Sequence, residues 1–140
     1  MQNPSDAVVT DALHAAKTIA VVGLSSDRTR ASNGIARYLQ RSGYRVIPVN
    51  PNETEVLGQK SYPSLMEVPE PIDIVDVFRR SEYLPEIARQ AVGIHARVLW
   101  MQLGIANEEA ATLASAAGLV VVQDRCMMIE HMRLGGPATH

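Results

Sequence analysis

Four arginines stand directly behind apolar runs of the chain: Arg28 and Arg30 follow Gly23-Leu24-Ser25-Ser26, and Arg79 and Arg80 follow Val77-Phe78. A guanidinium group grips a phosphate through two parallel N–H donors, so four of them on one edge would suit a ligand bearing several phosphates. Gly23 permits a tight turn and close approach of a ligand. Ser25 and Ser26 add hydroxyl donors, and the helix predicted to follow would present unpaired amides near Asn33. Asn50-Pro51-Asn52 and Gln102-Leu103-Gly104-Ile105 leave two further apolar runs in the same manner. Phe78, the only phenylalanine, falls where its run enters a loop, placed to pack on an adenine or ribose or equally into the core.

Missing motifs narrow the ligand. The dinucleotide fingerprint needs G-x-G-x-x-G after the first strand and an acidic residue after the second. Here Ser25 takes the second glycine's place and the second run ends in Asn50-Pro51, so NAD is disfavoured and NADP fits only somewhat better. No G-x-x-x-x-G-K-[ST] occurs, which excludes a P-loop. Asp73 and Asp76 bracket the third run as in a phospho-accepting receiver domain, but such a site also needs an acidic pair directly after the first strand, where only Asp27 lies further along. Asp76 is therefore expected to satisfy backbone or arginine donors near its strand end. His14 and His95 have no metal-ligand spacing, Glu130-His131 lacks a third orienting group, and no catalytic or metal residue is assigned.

Positioning these residues falls to alternating strands and helices. Val8, Ala12, Leu13 and Ala16 recur at helical spacing behind Pro4 and Ser5. Lys17 to Leu24 is a β-branched apolar run, the mark of a strand buried on both faces, and a helix over residues 33–43 follows. Further strands are predicted at Tyr44 to Val49, Ile72 to Phe78, Arg97 to Leu103 and Leu119 to Val122. Between them lie a loop with Gly58 and Pro63, a short segment from Ser64 to Val68, a helix from Glu82 to Val92 with Pro85 in its first turn, and a helix from Asn107 to Ala117 capped by Asn107. Strands apolar throughout pair in parallel with helices on both faces. The expected fold is a Rossmann-like three-layer α/β domain with a five-stranded parallel sheet, simplest order 3-2-1-4-5, and a ligand at the carboxyl ends of strands 1 to 4.

A length of 140 residues supports one domain over the whole chain, residues 1–140, with its core at about 16–134 and a tail from Gly135-Gly136-Pro137 onward. A formal charge of -2 removes the broad basic surface that nucleic acid or an anionic membrane would want. No leader pattern and no apolar stretch of about 20 residues is present, and one cysteine forbids an internal disulfide, so a soluble, cytoplasmic protein is expected.

Taken together, AVVGLSSDRTRAS, VIPVNPNETEVLGQKSYPSL, DIVDVFRR, WMQLGI and VVQDRCMMIEH resemble the small stand-alone CoA-binding domain proteins, whose fold is similar to the first domain of the succinyl-CoA synthetase alpha subunit. The resemblance runs from about Ala16 to Leu134. It implies coenzyme A, or an acyl-CoA, bound at the strand ends: Gly23, Leu24, Ser25, Ser26, Arg28, Arg30 and Asn33 around the nucleotide phosphates, Asn50 and Pro51 as the adjacent wall, Val77, Phe78 and Arg79 near the adenosine, and Gln102 with Gly104 at the far edge. The sequence has no counterpart of the synthetase domain that carries a phosphorylated histidine, so the ligase reaction is not carried over. A carrier, sensor or thiol protector for CoA is the first expectation. An NADP-dependent oxidoreductase and a regulatory module acting on a CoA enzyme in trans are the alternatives, with homodimerisation left open. Cys126 beside Arg125 would be placed for a mixed disulfide with CoA if its thiol were activated, but among Met127, Met128 and Ile129 it reads more simply as a small buried apolar residue.

Overall fold

The computed structural model describes residues 2–136, so the tail from Pro137 onward lies outside the described residues. Helix α1 (Asp6–Ala15) is capped by Ser5, whose side chain accepts from the Val8 amide. There follow β1 (Thr18–Val22), α2 (Ala31–Arg41), β2 (Arg45–Val49), two short strands β3 (Glu55–Val56) and β4 (Gln59–Lys60), β5 (Ile74–Val77), α3 (Leu84–Gly93), β6 (Val98–Met101), α4 (Glu108–Ala116), β7 (Val120–Val122) and α5 (Met127–Arg133). Single 3₁₀ turns at Leu65–Glu67 and Ser81–Tyr83 lead towards β5 and into α3.

Successive strand residues point to opposite faces, and both faces are covered. Ile19, Val21, Ile74, Val98 and Trp100 share a core with α1, α2 and α5, while Ala20, Val22, Val75, Val77, Leu99 and Met101 share one with α3 and α4. Burial on both sides is why the strands read as unbroken apolar runs. Asn107 caps α4 as expected, its side chain accepting from the Ala110 amide, and Pro85 sits in the first turn of α3.

The five main strands are all parallel, but their order corrects the expectation. The sheet runs β2-β1-β5-β6-β7, which in strand count is 2-1-3-4-5 rather than 3-2-1-4-5. Pro48 gives the reason. Its carbonyl faces the outer edge, where it accepts from the Tyr62 amide, and its nitrogen faces the same way with no hydrogen to donate. A third strand on that side would lose a ladder bond, so β2 is suited to the edge and β5 crosses to the far side of β1. Two further elements exceed the sequence reading. The loop around Gly58 holds the antiparallel β3–β4 pair, turned by Leu57 and Gly58 with φ of 53° and 77°, and a seven-residue helix, α5, follows β7.

Candidate functional site

At the carboxyl edge β1 is followed by Gly23, at φ 89°, whose amide donates to the Val49 carbonyl at 2.8 Å. A Cβ there would stand 3.2 Å from Arg79 Cδ and 3.4 Å from the Phe78 carbonyl oxygen, so both the backbone angle and the close passage of the loop after β5 require glycine. The loop that follows ties itself together. The Ser25 amide donates to Ser32 Oγ at 3.1 Å, the Asp27 amide to Ser25 Oγ at 3.0 Å, and the Thr29 hydroxyl and amide to Asp27 Oδ1 at 2.7 and 2.9 Å. Those two Thr29 donors hold the Asp27 carboxyl below its usual range. Asn33, buried in α2, donates to the Ser25 carbonyl and accepts from Arg37 Nε. Asn50 Nδ2 donates to the Leu24 carbonyl at 3.0 Å, Asn50 Oδ1 accepts from the Asn52 amide at 2.9 Å, and Ser61 Oγ donates to the Asn50 carbonyl.

This frame walls a cleft. One chamber of about 550 Å³ is lined by Gly23, Arg30, Asn50, Pro51, Asn52, Phe78, Arg79, Arg80 and Tyr83. A second, about 470 Å³, shares Gly23, Arg30, Asn50, Asn52 and Phe78 and adds Ser25, Ala31, Ser32 and Glu53. The first continues past Pro51, Arg79 and Tyr83 into an annex of about 190 Å³ between Val22, Val49, Pro63, Leu65 and Ile87, with Ser64, Glu86 and Gln90 as its polar groups. Helix α2 opens onto the second chamber. Arg30 occupies its N-cap, no side chain caps it and no acidic residue lies in its first turn, unlike α1 and α4 with their Ser5 and Asn107 caps. The amides of its first turn and the helix dipole therefore favour negative charge in that chamber. The Arg79 guanidinium lies 4.4 Å over the Tyr83 ring, a cation–π contact at the chamber wall. An apolar hollow of about 290 Å³ also opens at the opposite rim, under α1, but it lacks a converging set of donors.

Of the residues expected at the site, Gly23, Ser25, Arg30, Asn50, Pro51, Phe78 and Arg79 line the cleft together. Ser26 is exposed beside it, its amide bound by Glu53 Oε2 at 2.8 Å. Leu24 and Val77 are core residues, and Asn33 supports the loop from inside α2. Arg28 is exposed and outside the cleft lining; its carbonyl accepts from Arg37 Nη2 at 3.4 Å. Gln102 and Gly104 also lie away from the cleft lining. Gln102 Nε2 donates to Asp76 Oδ1 at 2.7 Å, and the Gly104 amide donates to Asp124 Oδ1. Asp76 thus departs from the expectation that backbone or arginine would satisfy it: it is fully buried, Gln102 is its partner, and Oδ2 has none. Burial pushes its carboxyl up to about 7, against the opposing pull of the Gln102 hydrogen bond. Glu53, Tyr83, Leu65 and Ile87 escaped the sequence reading because they sit in loops, single turns or on a helix flank, where no periodicity marks a ligand-facing side chain. Cys126 is buried, as expected of a small apolar residue.

The chain matches the model of the CoA binding domain family over residues 17–132. It belongs to that family. This CoA binding domain is 46% identical over 131 residues to the uncharacterized protein YneT of Bacillus subtilis, an alignment covering 94% of this chain and 97% of YneT. Its fold matches the solved structure of a hypothetical protein from Pyrococcus horikoshii OT3 with a TM-score of 0.91 at 40% identity, over 96% of each chain. It is also 29% identical over 87 residues to the ADP-forming acetate–CoA ligase II of Archaeoglobus fulgidus, an alignment covering 59% of this chain and 13% of the ligase. The family resemblance read from the motifs, with its span of about 16–134, agrees with these matches. Among the described residues no helix is long and apolar enough to cross a membrane.

Proposed function

We propose that this CoA binding domain holds coenzyme A, or an acyl-CoA, in the cleft at the carboxyl edge, as a cytoplasmic carrier, sensor or thiol protector without ligase chemistry of its own. The observation that carries the reading is the joining of an uncapped α2 N-terminus to a chamber lined by Arg30, Arg79 and Arg80. Backbone amides and guanidiniums are the donors that a ligand with three phosphate groups needs, and Gly23 lets it approach the sheet. The annex exceeds the roughly 150 Å³ cavity known to take up benzene, and its apolar walls with a few polar groups suit a purine ring. Adenine in the annex, phosphates at Arg79, Arg30 and the α2 amides, and the pantetheine arm leading outward form the arrangement supported best. When bound, CoA supplies a thiol for acyl transfer; the chain's own residues bind and orient.

Asn50 speaks against a dinucleotide with a free ribose diol, since its side-chain oxygen and nitrogen are both engaged by the chain. A thermal-shift panel of CoA, dephospho-CoA, NADPH and ATP tests the proposal. A ligand at a hundred times its Kd stabilises by about 2.7 kcal/mol. CoA should give the largest rise and dephospho-CoA a smaller one. A rise with NADPH alone would establish the oxidoreductase alternative, and no rise with any of the four would remove the binding reading.

A further inference from the structure

The amides of the loop after β1 are bound largely within the loop or to the adjoining α2, but one is claimed by a carboxylate from another element. The Ser26 amide donates to Glu53 Oε2 at 2.8 Å, and Glu53 belongs to the segment between β2 and β3. Glu53 lines the same chamber as Arg30 and the open end of α2, and among the described residues no cation pairs with it. The two arginine-lined chambers of the cleft therefore contain one carboxylate, and that carboxylate occupies a backbone donor of the kind a phosphate oxygen takes.

We propose that Glu53 is an internal stand-in for a ligand phosphate: it holds the Ser26 amide and keeps the loop closed in the free protein, and a phosphate of CoA displaces it on binding. The inference rests on the CoA reading above. Its physical basis is that a carboxylate and a phosphate are both anionic acceptors, so they compete for one N–H, and that two anions in one chamber repel each other whenever both stay. Glu53 then sets the affinity: the free protein gains an ordered loop, and the ligand must overcome a charge of its own sign.

Glu53→Gln keeps an acceptor for Ser26 and removes the charge. CoA titrations by calorimetry on the wild type and on E53Q should show the variant binding roughly five- to tenfold tighter, on the scale of one screened charge pair. The Ser26 amide resonance reports displacement without relying on the variant. On saturation with CoA the wild-type signal should leave its free position and coincide with that of the E53Q complex. Equal or weaker binding by E53Q, or a Ser26 signal that stays at its free position in the saturated wild type, overturns the inference while the CoA reading stands. If the wild type gives no heat with CoA, both fall, and that result is distinguished by appearing before any variant is made.

Discussion

Asp76 lies between Val21 and Trp100 in the sheet register, where burial leaves its Oδ2 without a partner. Its carboxyl is raised from 3.8 to about 7 in the folded protein, so between those values the native state holds a proton that the unfolded chain has lost. Stability from this group is therefore fully present below about pH 4 and is lost as pH rises through about 7, with a slope of at most about 1.4 kcal/mol per pH unit. Asp76→Asn cannot ionise. The difference in unfolding free energy between D76N and wild type should swing in the variant's favour by a few kcal/mol from about pH 4 to pH 8 in urea titrations. A constant difference would show that Asp76 is already ionised when buried. Cys126 has the opposite character, a buried thiol at the start of α5 whose neighbour Arg125 directs its guanidinium to the Asp124 carbonyl. Incubation with CoA disulfide should leave the intact mass unchanged; an adduct of CoA size would place the thiol within reach of the ligand.

The cleft's shape is set by loops, and Asn50 is the bolt between two of them. It joins the end of β2 to the Leu24 carbonyl and to Asn52, while Ser61 fastens its own carbonyl. Asn50→Ala removes both side-chain bonds, which should cost about 1–3 kcal/mol in chemical denaturation and weaken CoA binding by more than the loss of one wall contact, because Gly23 and Arg30 lose their alignment as well. Unaltered affinity with reduced stability would confine Asn50 to a folding role. The strands were legible because burial on both faces leaves a continuous apolar run. The capped helices were legible because Ser5 and Asn107 are strong local signals. Strand order was not, since it turns on which way Pro48 points its missing N–H. The β3–β4 pair has two-residue strands, too short for a period, and α5 starts at Cys126 without a side-chain cap, so neither announced itself. At the candidate site, the glycine turn and three of the four arginines, Arg30, Arg79 and Arg80, were readable from residue type, while Arg28 lies outside the cleft lining. Glu53 and Tyr83 were not, because their role comes from loops folding back over the sheet edge.

On the scale of the molecule, a chain of net charge -2 concentrates Arg30, Arg79 and Arg80 at one rim of its sheet. An anionic ligand meets an overall weakly repulsive body with a local attractive edge, so its affinity depends on the near field, which salt screens. The screening length shrinks from about 10 Å at 0.1 M salt to about 3 Å at 1 M, and Arg30 and Arg80 are exposed at the cleft while Arg79 is half-buried. CoA binding should therefore weaken roughly tenfold between about 0.05 and 0.5 M sodium chloride, and the R30A/R79A double variant should show both lower affinity and a shallower salt slope. The contrast is with a ligand held mainly in the annex, between Val22, Leu65 and Ile87, whose burial salt leaves intact. A CoA affinity insensitive to salt, with the double variant binding as well as wild type, would move the energetic centre from the guanidiniums to the annex and make the purine, rather than the phosphates, the group that this fold recognises.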